Sequence, residues 1–167
     1  YNSELFYCAD RKRSILDQIK RFVEAEAPIS KSLLCKRILY EWGMARLGQR
    51  SEAYLSELFQ ECGLYRCEYD GLAFFWVNEE QCRTYTSFRP NSGREASDLP
   101  PEEVANGMKQ ILTDSISLPI ADLSRAGAQL FGFLRSGSHI DAAMQRGMQE
   151  AIRRNYARVE NDRMTLV

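Results

Sequence analysis

Trp42-Gly43-Met44-Ala45-Arg46-Leu47-Gly48-Gln49-Arg50 returns 89 residues further on as Phe131-Gly132-Phe133-Leu134-Arg135-Ser136-Gly137-Ser138-His139. Both stretches run aromatic, Gly, apolar, any, Arg, any, Gly, any, cation. The same offset pairs Ile15 with Val104, Ile19 with Met108, Val23 with Leu112, Leu34 with Leu123 and Leu55 with Met144. Identities are few, Leu34, Gly43, Arg46 and Gly48 among them, so the weight rests on apolar phase kept across about fifty residues. One module is written twice.

Working outward from the first stretch, a helix is expected behind Asp10 as N-cap, with Ile15, Leu16, Ile19, Phe22 and Val23 at helical spacing. Ala27-Pro28-Ile29-Ser30 interrupts it: Pro28 ends the helix, Ile29 enters a short strand, and Ser30 caps a second helix from Lys31 to Trp42. Gly43 stops that helix, and Gly48 precedes a third carrying Tyr54, Leu55, Leu58, Phe59 and Cys62. Tyr65 to Tyr69 and Leu72 to Val77 then read as strands joined across Asp70-Gly71. Helix, short strand, helix, turn, helix, hairpin is the order of a winged helix-turn-helix. The second copy repeats it and closes on Ala157 to Glu160 and Arg163 to Val167 around Asn161-Asp162. The expected fold class is therefore mainly α with small β-hairpins (α+β), a tandem duplicated winged helix-turn-helix. Its parts are a lead-in at 1–9, a first winged-helix domain at 10–78, a polar linker at 79–98 and a second winged-helix domain at 99–167. Tyr85 and Phe88 could pin the linker to a module surface.

The 167 residues are 44% hydrophobic and 27% charged, with few Gly and Pro, an ordinarily globular composition that argues against a disordered chain. No apolar run approaches membrane-spanning length and no signal peptide opens the sequence, so a cytoplasmic protein with no membrane partner is expected. The first residue is Tyr1 and not Met, which predicts a piece of a longer polypeptide with a partner in cis. Cys8, Cys35, Cys62, Cys67 and Cys82 lie at scattered spacings without a C-x-x-C pair, beside one histidine, which argues against a disulfide framework and against a zinc site. Lys/Arg and Asp/Glu number 11 and 11 over residues 1–78, 3 and 4 over 79–98, and 8 and 8 over 99–167. A DNA-binding surface must then come from where the cations sit, since the average is neutral.

Val23-Glu24-Ala25-Glu26-Ala27-Pro28-Ile29-Ser30, Trp42 to Gly48, Pro101-Glu102-Glu103-Val104-Ala105-Asn106 and Leu130 to Gly137 occur in the order found in one family. The chain resembles the C-terminal domain, of unknown function, of large bacterial proteins that join a superfamily I DNA helicase-like core to a very-short-patch-repair-like nuclease domain. The resemblance implies an accessory module on a DNA-processing enzyme, with the helicase-like remainder of the parent polypeptide as its partner. It brings no catalytic residues. The absence of a G-x-x-x-x-G-K-[ST] loop agrees with ATPase motifs lying elsewhere.

Nothing in the sequence has the spacing of a nucleophile with its base, of paired acids or of a metal cage, so no catalytic residue, cofactor, metal or small-molecule substrate is expected. The neighbouring acids Glu79-Glu80 and Glu102-Glu103 read as solvated faces. For double-stranded DNA, a winged helix-turn-helix offers its third helix to the major groove and its wing to the backbone. In the first copy that helix exposes Glu52, Glu57 and Glu61, a face that repels phosphates. In the second, Arg135, His139, Gln145, Arg146, Gln149, Arg153 and Arg154 are the candidates, followed by Arg158 and Arg163 toward the wing; residues 125–163 hold seven Arg against four acids. The bland alternatives are a solvated helix face with an ion pair such as Arg146 to Glu150, and a turn-fixing role for Arg46 and Arg135 as donors to helix-end carbonyls. The other functional class is a protein-interaction module docking on the parent polypeptide or a partner, through acidic Glu52 and Glu57 and an exposed ring at Trp76.

Overall fold

Ile15, Ile19 and Val23 recur every fourth residue, and they bury one stripe of α1 (Lys12–Glu26) in the computed structural model, which describes residues 3–167. Tyr1 and Asn2, the start of the expected lead-in, lie outside the described residues. The rest of that lead-in is not loose. Ser3–Tyr7 and Ala9–Arg11 form 3-10 turns, and Phe6 is fully buried edge-on to Trp42 and Tyr54 at ring distances of 5.7 and 5.5 Å. Arg11, and not Asp10, is the N-cap of α1.

Ala27, extended as a residue before proline must be, ends α1 and leads into β1 (Ile29–Ser30). The Ser30 hydroxyl accepts from the Leu33 amide at 3.0 Å and so starts α2 (Lys31–Glu41). After the turn come α3 (Gln49–Glu61), β2 (Tyr65–Tyr69), β3 (Leu72–Trp76) and α4 (Glu79–Thr84). The three strands form an antiparallel sheet in the order β1-β3-β2. Asp70 and Gly71 both take positive φ, which matches the twist of a two-residue hairpin. Beneath the sheet, Leu34, Ile38, Leu55, Leu58 and Phe59 close the core with the α1 stripe.

The chain divides between Arg83 and Thr84 into two compact units. The second repeats the element order: α5 (Pro101–Ser115), β4 (Ser117–Pro119), α6 (Ile120–Leu130), α7 (Ser138–Arg153), β5 (Ala157–Glu160) and β6 (Arg163–Leu166), with sheet order β4-β6-β5. Val104, Met108, Leu112, Leu123, Met144 and Met148 form its core. Asn161 and Asp162 supply the positive-φ turn of its hairpin. Each unit is thus mainly helical with one small antiparallel sheet.

Two expectations are corrected here. Residues 79–98 are not a polar linker: α4 belongs to the first unit up to Arg83, and residues 84–98 are built into the second. Asn106 donates to the carbonyls of Tyr85 and Ser87, and Phe88 packs 6.3 Å from Phe131. Nor is Glu103 on a solvated face. It is fully buried, accepting from the Arg89 side chain at 2.6 Å, from the Arg89 amide at 2.9 Å and from Arg94. Burial pushes its carboxyl up, and the hydrogen bonds from Arg94 and Arg89 outweigh that, so its pKa lies below the ordinary value. Two arginines and an acid nine or more residues apart are a tertiary clamp that reads, in sequence, as ordinary surface charge.

Candidate nucleic-acid interface

The turn into the third helix is built identically in both units. After α2, Gly43 at φ 69° donates to the Tyr40 carbonyl at 3.1 Å and Met44 to Leu39 at 2.9 Å. After α6, Gly132 at φ 94° donates to Gln129 at 3.0 Å and Phe133 to Ala128 at 2.9 Å. This pair of bonds is a Schellman cap, and it needs a left-handed residue at that one position. The backbone therefore fixes the turn. The alternative of a turn-fixing role for Arg46 and Arg135 does not hold: both are exposed, and neither makes a hydrogen bond or ion pair among the described residues.

From that turn α7 runs with Ala143, Met144, Gly147, Met148 and Ala151 inward. His139, Gln145 and Gln149 are exposed, as expected, and Arg146 is half-buried. The remaining cations are engaged inside the unit. Glu150, buried at 3% exposure, accepts from Arg154 at 2.8 Å and from Arg153 at 2.9 Å. The Arg154 side chain is only 11% exposed; burial works against its charge, and the bonds to Glu150 and Tyr156 outweigh that and hold its pKa up. An ion pair with Glu150 does form, with both of these arginines in it. On the β5–β6 hairpin, Arg158 pairs with Glu160 at 2.8 Å, while Arg163 donates to the Ser117 hydroxyl and carbonyl at 3.1 and 3.2 Å. The structure therefore brings Arg135, His139, Gln145 and Gln149 to open surface, with Arg153 beside them at 65% exposure. It takes Arg154 out of that surface.

In the first unit the matching helix is different. Glu52 and Glu61 pair with Lys31 and Lys12 at 3.4 and 2.8 Å, and Glu57 is exposed. Arg50, the counterpart of His139, reaches back to Glu4 at 3.0 Å and lies 3.8 Å over the Tyr7 ring, so it pins the lead-in. The exposed ring expected at Trp76 is absent. Residues 73–76 of β3 are all buried, Phe75 in the core against Phe59 and Trp76 at 0% exposure.

A feature with no sequence signal lies between α6 and α7. An open groove of about 680 Å3 is lined by Ala121, Ser124 and Ala128 of α6, by Phe133 to Ser136, and by Ile140 and Met148 of α7. Leu134 on its rim is 99% exposed. At the matching positions the first unit carries Cys35 for Ser124, Leu39 for Ala128 and Phe59 for Met148, all buried.

Residues 4–53 match a family described as a protein of unknown function (DUF3320). The match takes in Trp42 to Arg50 and stops before the first hairpin. No curated protein and no solved structure matches the chain. Among the described residues no helix is long and apolar enough to cross a membrane.

Proposed function

We propose that each unit is a winged helix-turn-helix, that the two are a tandem duplication, and that together they form a non-catalytic, DNA-associated accessory module of a larger helicase- or nuclease-type protein, in which the second unit contacts duplex backbone. The shared element order, sheet order and Schellman turn support the fold reading. The observation that carries the DNA reading is Arg135: an exposed guanidinium, without a partner among the described residues, at the foot of a helix whose outer face holds His139, Gln145 and Gln149. A cation there meets a phosphate while the amide side chains reach base edges. The parent enzyme rests on the family resemblance alone.

The test is a titration of the chain with labelled double-stranded DNA at about 50 and about 200 mM salt, beside an Arg135→Glu variant. Affinity that falls steeply with salt, and by roughly tenfold or more in the variant, is the expected result. Equal affinity in the variant, or no binding at the lower salt, overturns it.

The second reading, docking of a protein segment, is favoured by one observation. Leu134 stands fully in solvent on the rim of the groove between α6 and α7, where an isolated module has no use for it. Under that reading Leu134→Ala, which adds no charge beside Arg135, weakens partner capture and leaves the DNA titration unchanged.

A further inference from the structure

Cys67 lies in the middle of β2 and Cys82 in α4, and their sulfurs are 3.9 Å apart. We infer that these two thiols are a redox site of the first unit, closing reversibly to a disulfide that staples the hairpin to α4. The contact stands out among the five cysteines. Cys35 is buried alone with its thiol pushed up to about 12 by desolvation, Cys62 is likewise pushed up by burial, and Cys8 donates to the Glu4 carbonyl at 3.4 Å. No other two sulfurs are in contact among the described residues.

The surrounding chain holds the pair in register. Cys67 faces Phe74 across the hairpin ladder. Beside Cys82, Gln81 accepts from the Val77 amide at 2.8 Å, donates its own amide to Asn78 Oδ1 at 2.8 Å, and reaches the Ala27 carbonyl at 3.3 Å. Bonding needs an approach of about 2 Å between sulfurs that already touch, within reach of rotamer adjustment and a small movement of a six-residue helix.

The chemistry uses a low-molecular-weight disulfide as oxidant. Cys67 is half-exposed and Cys82 nearly closed off, so Cys67 attacks first, as thiolate. Its sulfur bonds to one sulfur of the oxidant, and the other leaves as a thiolate. The Cys82 thiolate then attacks the Cys67 sulfur and expels the second half. Two cysteine thiols are oxidised, one small disulfide is reduced to two thiols, and the two protons end on the released thiols. The loop closed runs from 67 to 82, next to the boundary at Arg83, so the bond secures the segment by which the chain leaves the first unit.

The experiment treats the full chain with oxidised glutathione under native conditions, blocks remaining thiols by alkylation, and maps the peptides by mass. A single Cys67–Cys82 cross-link is expected, with Cys8, Cys35 and Cys62 in no cross-link and full reversal by dithiothreitol. The melting temperature of the first unit should rise by on the order of 10 °C on oxidation, and not at all in Cys82→Ser, where Cys67 retains glutathione. Recovery of Cys67 and Cys82 uncross-linked, or the same mixture of pairings from folded and urea-unfolded chain, overturns the inference. The wild-type map decides this even if the variant fails to fold.

Discussion

Gly132 and Gly137 stand five residues apart in one turn and answer to different physics. Gly132 has φ of 94°, and a Cβ there would lie 2.4 Å from Asn91 Oδ1; Gly137 is extended, with only Ile140 at 4.0 Å. Gly132→Ala is expected to destabilise the second unit by about 1–2 kcal/mol in urea unfolding. Gly137→Ser, at an N-cap with no side-chain acceptor, should be neutral or stabilising by up to about 1 kcal/mol. Equal losses at both positions would contradict this assignment. Glu103 gives a second prediction at this scale. Its folded pKa is depressed, so its contribution is complete above the ordinary value of 4.5 and is lost as pH falls through the lower folded value. The stability of the second unit should therefore drop on acidification below about pH 4, and Glu103→Gln should be less stable at neutral pH but flatter in that acid range.

Among elements, α7 and its hairpin separate stability from binding. Glu150 is buried beneath Arg153 and Arg154, so Glu150→Ala leaves a mostly buried guanidinium without its acid and should destabilise by about 3 kcal/mol. Arg154→Ala should weaken folding while leaving DNA affinity unchanged once folded protein is compared. A loss of affinity matching that of Arg135→Glu would return Arg154 to the binding surface. In the β5–β6 turn, Asp162 sits at φ 60°. Asp162→Gly makes the turn Asn-Gly and should stabilise the unit by about 0.5–1 kcal/mol, read as a higher melting temperature.

For the molecule as a whole, the decisive segment is 84–98. A fragment 84–167 keeps the Arg89 and Arg94 clamp and should unfold cooperatively. A fragment 99–167, cut at the end of the apparent linker, leaves the Glu103 carboxylate buried without its arginines and should be less stable by about 3–5 kcal/mol or fail to fold. Equal stability of the two would show that residues 84–98 are dispensable. Both units use the same device: Phe6 packs on Trp42 and Phe88 on Phe131, so a segment ahead of each first helix covers the aromatic at the end of its second. The two are out of phase with the 89-residue offset, which is why the repeat did not reveal them.

Local physics was legible in the sequence. The i, i+4 stripe of Ile15, Ile19 and Val23, the stop at Gly43, the Asp70-Gly71 turn and the echo of all three in the second half depend on neighbours within a few residues, so periodicity and turn chemistry determined the elements and their repetition. Long-range pairing was not legible. That Glu103 turns inward to Arg89 and Arg94, that Trp76 is buried, that Arg154 serves Glu150 and that Cys67 touches Cys82 depend on which surfaces meet after folding. A charged or sulfur-bearing side chain carries no mark of its distant partner, so only the tertiary structure decided which residues remain open for binding.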